Sequence, residues 1–224
     1  MGDMTEVTVA AVEEVGTRTV ALTLETPEGF DAEPGQFLLV RGTVGGSEER
    51  RSSGHRSETG EVEETGYYTL SSPDTDGTME ITVEYVPEGT LAPWLAERTA
   101  GDTVEIEGPF GDVRYTGEGD AVVLAEGPGI GPAVGIAERA REEGHDATVV
   151  FWGEDPPHRD RLDALEADGA TVLVVESLDE AVDSLTESDA TVYVFGFESF
   201  VRDAKTVAEA TGAADVRAES FGPR

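Results

Sequence analysis

The spacing of apolar side chains changes once along the chain, near residue 119. Before that point many recur at every second position. The run Met79-Glu80-Ile81-Thr82-Val83-Glu84-Tyr85 shows this most clearly, with the period of a half-buried strand. Runs rich in Val, Ile, Leu, Thr and Tyr predict strands over residues 7–15, 17–25, 36–41, 67–71, 79–86 and 103–107, with one short helix over 92–97. Pro27-Glu28-Gly29, Glu33-Pro34-Gly35 and Pro73-Asp74 separate them as turns. Six antiparallel strands at this spacing predict a small closed barrel. Beyond residue 119 the apolar runs scarcely alternate. Residues 121–125, 147–152, 171–176, 191–195 and 214–218 read as buried strands, and 132–143, 159–167, 178–187 and 198–211 as amphipathic helices between them. That rhythm describes a parallel sheet covered on both faces. The expected architecture is therefore β plus α/β in two domains. A six-stranded antiparallel β-barrel spans residues 1–118, and a five-stranded parallel α/β domain spans 119–224.

Residues 42–66 fit neither half. They are polar, rich in Gly, Ser and Glu, and too long for a hairpin turn, so they are expected to form a solvated excursion. Within them Arg50-Arg51-Ser52-Ser53-Gly54-His55-Arg56 gathers three arginines, a candidate contact for an acidic ligand.

Composition narrows the chemistry. With 48 acidic and 15 basic residues the formal charge is −33, which argues against a nucleic-acid partner because phosphate contacts need a positive face. The absence of cysteine excludes disulfides, thiolate zinc sites, cysteine nucleophiles and cysteine-ligated iron–sulfur clusters within these residues. His55, His145 and His158 fall in polar, loop-like sequence, and no metal site is expected. Lys205 is the only lysine among the 15 basic residues. An acidic, lysine-poor surface is expected of a halophilic protein, since roughly 3 Å of Debye length at 1 M salt screens its self-repulsion. The first six residues are polar rather than leader-like, and no apolar run approaches the ~20 residues that span a bilayer, so no membrane association and a cytoplasmic location are expected.

The strongest local signal is Glu126-Gly127-Pro128-Gly129-Ile130-Gly131-Pro132, placed directly after a predicted strand and before a predicted helix. Glycines there let the backbone approach a ligand, and a helix N-terminus offers free N–H groups and partial positive charge to a phosphate. Pro132 suits the first helical turn. The segment lacks the lysine of a nucleotide-hydrolysing P-loop and the G-x-G-x-x-G spacing of a dinucleotide fingerprint. A Gly-rich turn of this kind is often structural.

Four further pieces follow the same order along the chain as one known family. They are Tyr67-Tyr68-Thr69-Leu70-Ser71-Ser72-Pro73, then Glu88-Gly89-Thr90-Leu91-Ala92-Pro93-Trp94-Leu95, then Gly101-Asp102-Thr103-Val104-Glu105-Ile106-Glu107-Gly108-Pro109-Phe110-Gly111. The last is Val194-Phe195-Gly196-Phe197 with the terminal Glu219-Ser220-Phe221-Gly222. With the Gly-rich turn they resemble the ferredoxin–NADP reductase superfamily of flavoprotein reductases over nearly the whole chain. The resemblance implies FAD, with Tyr68 packed on the flavin ring, Thr69 facing its N5, and Leu70 and Ser71 continuing that strand. Val83, Glu84 and Tyr85 match the next flavin-lining strand, and Gly89, Thr90, Leu91 and Ala92 the turn that opens a helix onto the FAD pyrophosphate. Gly127, Pro128, Gly129, Ile130, Gly131 and Pro132 match the nicotinamide-nucleotide loop, and Gly196 and Phe197 a neighbouring loop. Glu219 and Phe221 match the segment returning to the flavin edge, where an acid can relay a proton.

Departures from the pattern matter as much. The motif's arginine falls at Gly66, its serine at Ala92 and its cysteine at Phe195. A missing arginine removes charge-assisted bonds of about 1.5–3 kcal/mol each from a diphosphate, so weak FAD binding, help from residues 50–56, or FMN are all open. The resemblance implies NADH or NADPH as hydride donor and a small redox protein such as ferredoxin as acceptor. A flavin- or nucleotide-binding module without turnover is the alternative. Related electron-transfer subunits of dihydroorotate dehydrogenase need a cysteine cluster, which is absent here. Members using NADP place Ser-Arg at the end of the third strand of the α/β half. Here that strand ends Val175-Glu176-Ser177, which favours NADH, with Arg159 and Arg161 as the candidate ligands for a 2′-phosphate.

Overall fold

The computed structural model describes residues 4–45, 61–182 and 189–222. Its first sheet contains β1 (Thr5–Gly16), β2 (Thr19–Glu25), β3 (Phe37–Gly45), β4 (Glu61–Thr69), β5 (Thr78–Glu84) and β6 (Thr103–Phe110), in the order β4-β3-β6-β1-β2-β5 with every pairing antiparallel. A bridge between Leu70 and Ile81, and a 2.8 Å bond from the Ser71 N–H to the Glu80 carbonyl, join the outer strands and close the barrel. Alternation places Leu22, Leu24, Leu38, Val40, Ile81 and Ile106 inside, each fully or almost fully buried, and each contributes about 1.5–3 kcal/mol of burial. Helix α1 (Leu91–Ala96) adds Leu91 and Leu95 to that core.

The second sheet is parallel: β7 (Ala121–Glu126), β8 (Ala147–Trp152), β9 (Thr171–Val175), β10 (Thr191–Gly196) and β11 (Val216–Ser220), ordered β11-β10-β7-β8-β9. Helices α2 (Ile130–Glu142) and α3 (Arg159–Ala167) cover one face, against Val123, Val149, Phe151 and Phe195. Helix α4 (Glu198–Ala210) covers the other, against Val122, Leu124, Val150 and Val194. Burial on both faces is why these strands read as unbroken apolar runs. The expected two-sheet architecture is the one observed.

Three local expectations are corrected and a fourth is described only in part. Residues 42–66 are not one long loop: β3 continues to Gly45 and β4 starts at Glu61, with Gly42 opposite Glu64 and Gly45 opposite Glu61. Ladder hydrogen bonds and the cover of α1 override the polar composition; a Cβ on Gly42 would meet Trp94 at 2.5 Å. The arginines at 50, 51 and 56 lie outside the described residues. Of the helix expected over 178–187, the described residues hold its first part, a 3-10 turn at Leu178–Ala181 started by a capping box between Ser177 and Glu180 and continuing into a helical Val182, and the rest lies outside the described residues. The last strand is shifted two residues, so Glu219 and Ser220 are paired within β11. His158 is not in a solvated loop. It is 3% exposed, in the left-handed region at φ 60°, and its Nε2 shares a 2.8 Å hydrogen bond with Thr82 Oγ1 of the barrel.

The two sheets meet along α2 and α3. A Cβ on Gly131 would lie 2.5 Å from Thr82 Oγ1, and one on Gly135 would lie 2.9 Å from the Ser72 carbonyl oxygen and 3.0 Å from that of Ser71. Beside them Arg161 donates to Glu80 (2.7 Å), to both oxygens of Glu138 (2.8 and 2.6 Å) and to the Ser71 carbonyl (2.6 Å). Gly135→Val is expected to destabilise the protein by about 1–3 kcal/mol, seen as a lower denaturation midpoint, because its branches meet carbonyl oxygens that cannot move aside. Burial, followed by the nearby Arg161 charge, lowers the His158 imidazole to about 3. The unfolded chain therefore binds a proton that the folded chain refuses, so stability is full above about pH 6.5 and declines as pH falls toward 3. The decline approaches about 1.4 kcal/mol per pH unit. Denaturation at pH 7 and pH 5 should show a smaller loss for His158→Gln than for the natural protein.

Candidate active site

Where β4, the end of β6 and β11 converge, a cleft of about 520 Å³ opens, lined by Phe37, Tyr67, Thr69, Phe110, Glu219, Ser220, Phe221 and Gly222. A narrower arm of about 100 Å³ shares Tyr67, Thr69 and Phe221 and adds Tyr68, Thr82, Glu84 and Pro128. Its aromatic walls brace one another. Phe37 meets Tyr67 edge-on at 5.4 Å and Phe110 at 5.9 Å, and Phe197 meets Phe221 edge-on at 6.4 Å. Strand alternation turns Tyr67 outward, 68% exposed, and Tyr68 toward the barrel core beneath α1. Burial, with a smaller contribution from Glu64, pushes the Tyr68 hydroxyl well above its ordinary range, so it stays protonated. The Glu219 carboxyl is also shifted above the ordinary carboxylate range, first by burial and then by the charge of Asp112.

The turn after β7 forms the opposite wall. Gly127 adopts φ 55°, and a Cβ on Gly129 would collide with the Phe195 carbonyl oxygen, so neither position admits an ordinary side chain. A bond of 3.2 Å from the Phe197 N–H to Glu126 Oε2 ties the ends of β10 and β7 together. Strand order reverses between these two strands, the point at which open parallel sheets accept ligands beyond their carboxyl ends. Helix α2, thirteen residues long, begins there.

Of the expected site residues, Tyr68, Thr69, Glu84, Pro128, Glu219 and Phe221 line the cleft and its arm. Gly127, Gly129, Gly196 and Phe197 lie at the β7–β10 crevice, while Ile130 and Pro132 are buried behind it and Gly131 packs against Thr82 and Ser71 of the barrel. Leu70, Ser71 and Val83 are buried in the barrel, and Tyr85 packs against its core. Gly89, Thr90, Leu91 and Ala92 stand at the start of α1 beside Gly66, where Leu91 and the Tyr68 ring would sit 3.2 and 3.0 Å from a Cβ. The Thr90 hydroxyl donates to Glu64 there. Glu176 is exposed at the far end of β9; its carbonyl accepts the indole N–H of Trp152, which stacks on Phe200 at 5.6 Å. Arg161 is removed from the candidate phosphate ligands, because its guanidinium is committed to Glu80, Glu138 and Ser71. Arg159 is exposed and pairs with Asp155 at 3.6 Å. Sequence reasoning missed Phe37, Tyr67, Phe110 and Thr82. Phe110 stood in a quoted motif, and Tyr67 next to the chosen tyrosine, but no local signal says which neighbour faces out.

These residues fit the flat, apolar isoalloxazine ring of a flavin, which the cleft's volume and paired aromatic walls accommodate. The phosphate end is less complete: around Gly66 and Thr90 the described residues offer the N–H groups at the start of α1, with the Glu64 carboxylate close by. Residues 56–115 match the oxidoreductase FAD-binding domain family. The chain is 32% identical over 145 residues to a probable electron transfer subunit of dihydroorotate dehydrogenase B (NAD(+)) from Methanopyrus kandleri, covering 65% of this chain and 46% of that protein. It is 30% identical over 156 residues to the ferredoxin reductase component of 3-ketosteroid-9-alpha-monooxygenase from Mycolicibacterium smegmatis, covering 66% and 40%. The chain thus spans less than half the length of these relatives. Among solved structures, the flavohem-like FAD/NAD binding domain of nitric oxide dioxygenase from Vibrio cholerae superposes with TM-score 0.79 at 19% identity, covering 99% and 100% of the two chains. A ferredoxin NADP+ reductase from Neisseria gonorrhoeae with bound FAD and NADP superposes with TM-score 0.73 at 16% identity, covering 99% and 100%. The fold is the ferredoxin reductase-like two-domain fold, and within it residues 56–115 are similar to the oxidoreductase FAD-binding domain family. Among the described residues no helix is long and apolar enough to cross a membrane.

The two tyrosines separate by experiment. Tyr67→Ala should cost under about 0.5 kcal/mol of stability, as a solvent-exposed truncation, yet lower flavin retention on gel filtration. Tyr68→Ala should lower retention as well and cost about 3 kcal/mol, because its ring fills the space beneath α1.

Proposed function

We propose that the chain is an NAD(P)H-dependent flavoprotein reductase that takes a hydride onto FAD and passes electrons singly to a small redox protein such as a ferredoxin. The observation that carries this reading is the convergence of Thr69 and Tyr67 from the barrel with Glu219 and Phe221 from the last strand around one cleft that opens beside the β7 glycine turn. FAD, when bound, supplies the change from two-electron to one-electron chemistry. The protein's part is placement. Tyr67, Tyr68, Phe37 and Phe110 wall the ring, and Thr69 presents a hydroxyl at the redox locus. Glu84 and the backbone of residues 83–85 line the ring's polar edge. The N–H groups of residues 89–92 face the diphosphate. Gly127, Pro128, Gly129, Ile130, Gly131 and Pro132 lead the dinucleotide's phosphates to the N-terminus of α2, with Gly196 and Phe197 across the crevice. Glu219, with its raised proton affinity, delivers or stores the proton that accompanies reduction. Residues 1–118 form the flavin domain and 119–224 the nucleotide domain. The identities of the relatives support a reductase component; absent cysteine, no cysteine-ligated cluster sits within these 224 residues.

The alternative, a binding module without turnover, is favoured by the Glu64 carboxylate beside the phosphate turn. A purified protein that is yellow and bleaches anaerobically with NADH or NADPH supports the reductase; a colourless one that ignores added FAD and FMN overturns it. NADH is the expected donor. Glu176, Asp179 and Glu180 at the end of β9 repel a 2′-phosphate, and Arg161 is unable to reach one. Stopped-flow reduction in molar salt should favour NADH by roughly fivefold or more, the equivalent of about 1 kcal/mol of like-charge repulsion. A faster, tighter reaction with NADPH reverses the assignment.

A further inference from the structure

Arg161 and His158 sit at the point where the nucleotide half touches the flavin half, and neither belongs to the cleft lining. Arg161 projects from α3, is 24% exposed at its side chain, and makes four hydrogen bonds. Two go to Glu138 of α2. The other two cross to the barrel: 2.7 Å to Glu80 on β5 and 2.6 Å to the Ser71 carbonyl, two residues past Thr69. Ser71 is itself fully buried and bonded to Glu80 twice, through its N–H to the Glu80 carbonyl and its hydroxyl to the carboxylate, each at 2.8 Å. His158 makes two more crossings. Its N–H bonds the Val15 carbonyl at 2.9 Å, and its ring shares a 2.8 Å bond with Thr82, whose side chain lines the narrow arm of the cleft.

Each bond is directional, and together they fix α2 and α3 against the two strand segments, 69–71 and 80–82, that flank the ring site. Apolar contacts between the halves would allow sliding by a fraction of a side chain; a guanidinium clamped on Glu138 by two bonds and reaching across to Glu80 and to the Ser71 carbonyl by one bond each does not. Buried ion pairs add little net stability compared with apolar packing, and their best-attested use is to specify register. Here the register is that of the glycine turn at residues 127–131 relative to Thr69. We propose that Arg161, assisted by His158, is a positioning residue for hydride transfer: it sets the approach of the nicotinamide ring to the flavin through Glu80, Ser71 and Thr82 without touching either ring. This inference rests on the reductase reading above.

The experiment uses the full chain with FAD. Arg161→Met alone leaves two carboxylates without their cation, so it is combined with Glu80→Gln and Glu138→Gln, which keep volume and remove charge. Thr82→Val is a second, milder variant, and Arg161→Lys tests rescue. In the triple variant and in Arg161→Lys, whose altered residues lie outside the cleft lining, flavin content and the dissociation constant of the nicotinamide nucleotide are expected to stay within twofold of the natural protein. The stopped-flow rate constant for flavin reduction should fall roughly 10- to 100-fold in the triple variant, the consequence of about 1 Å of misplacement. It should fall less in Thr82→Val and be intermediate in Arg161→Lys, which keeps the charge but not the fork. Amide exchange at Ser71 and His158 should accelerate in the triple variant. A folded, flavin-loaded triple or Thr82→Val variant that reduces at the natural rate overturns the proposal. If the natural protein is reduced by neither nucleotide, the reductase reading fails. Unchanged exchange at Ser71 and His158 in the triple or Thr82→Val variant then also overturns the junction, whereas faster exchange upholds it as the element that fixes the two halves.

Discussion

Helix α2 can lie against the barrel only because Gly131 and Gly135 carry no side chain. Thr82 and the carbonyls of Ser71 and Ser72 occupy the space a Cβ would need. Much of the site follows from that approach. It brings the β7 glycine turn beside the strand ends that carry Thr69 and Thr82, and it leaves the residues at the mouth of β11 facing Tyr67 across a gap wide enough for a planar ring. A larger residue at either glycine would hold the halves apart and widen the gap on one side. The polar crossings of Arg161 and His158 then remove the remaining freedom to slide, so steric closeness and directional bonding divide the task between them.

The acidic surface and the paired charges of the junction are two sides of one electrostatic problem. Most ion pairs of the described residues are at least partly open to solvent, such as Arg159 with Asp155 and Arg202 with Asp203, and salt screens such pairs. The junction pairs differ in geometry more than in exposure: Arg161, 24% exposed at its side chain, holds Glu80 and Glu138 and also bonds the Ser71 carbonyl, so directional hydrogen bonds add to the charge attraction that salt weakens. His158 contributes by staying uncharged: protonated, it would bring a second cation next to Arg161 in a site with little water.

Much of the fold was legible in the chain. Period-two alternation and turn residues marked six strands, and unbroken apolar runs between amphipathic helices marked the parallel sheet, because burial on one face or two leaves different patterns. The glycines at 129 and 131 mark close approaches that are to Phe195 and to Thr82 of this chain rather than to a ligand, and Glu219 and Phe221 lie in the cleft lining. What alternation alone did not settle was the hairpin continuing β3 and β4 past Gly42, since its strands are polar and derive their pairing from backbone bonds and from α1 lying over one face.

The remaining decisions belonged to tertiary structure. Adjacent tyrosines 67 and 68 are chemically identical in sequence, and only the direction of the pleat makes one an exposed wall of the cleft and leaves the other half-buried, lining the narrow arm while it packs on the barrel core. Arg159 and Arg161 both looked available for a phosphate, yet one faces solvent while the other is held by partners on α2 and on the barrel, the latter about eighty to ninety positions away. His158 sits in sequence that reads as a solvated loop and is buried because a strand from the other half packs over it. Local sequence determined which segments are strands, helices and turns, since propensity and periodicity act over a few residues. Which side chains meet was decided by how two separately formed sheets dock, a long-range outcome that no window of the chain contains.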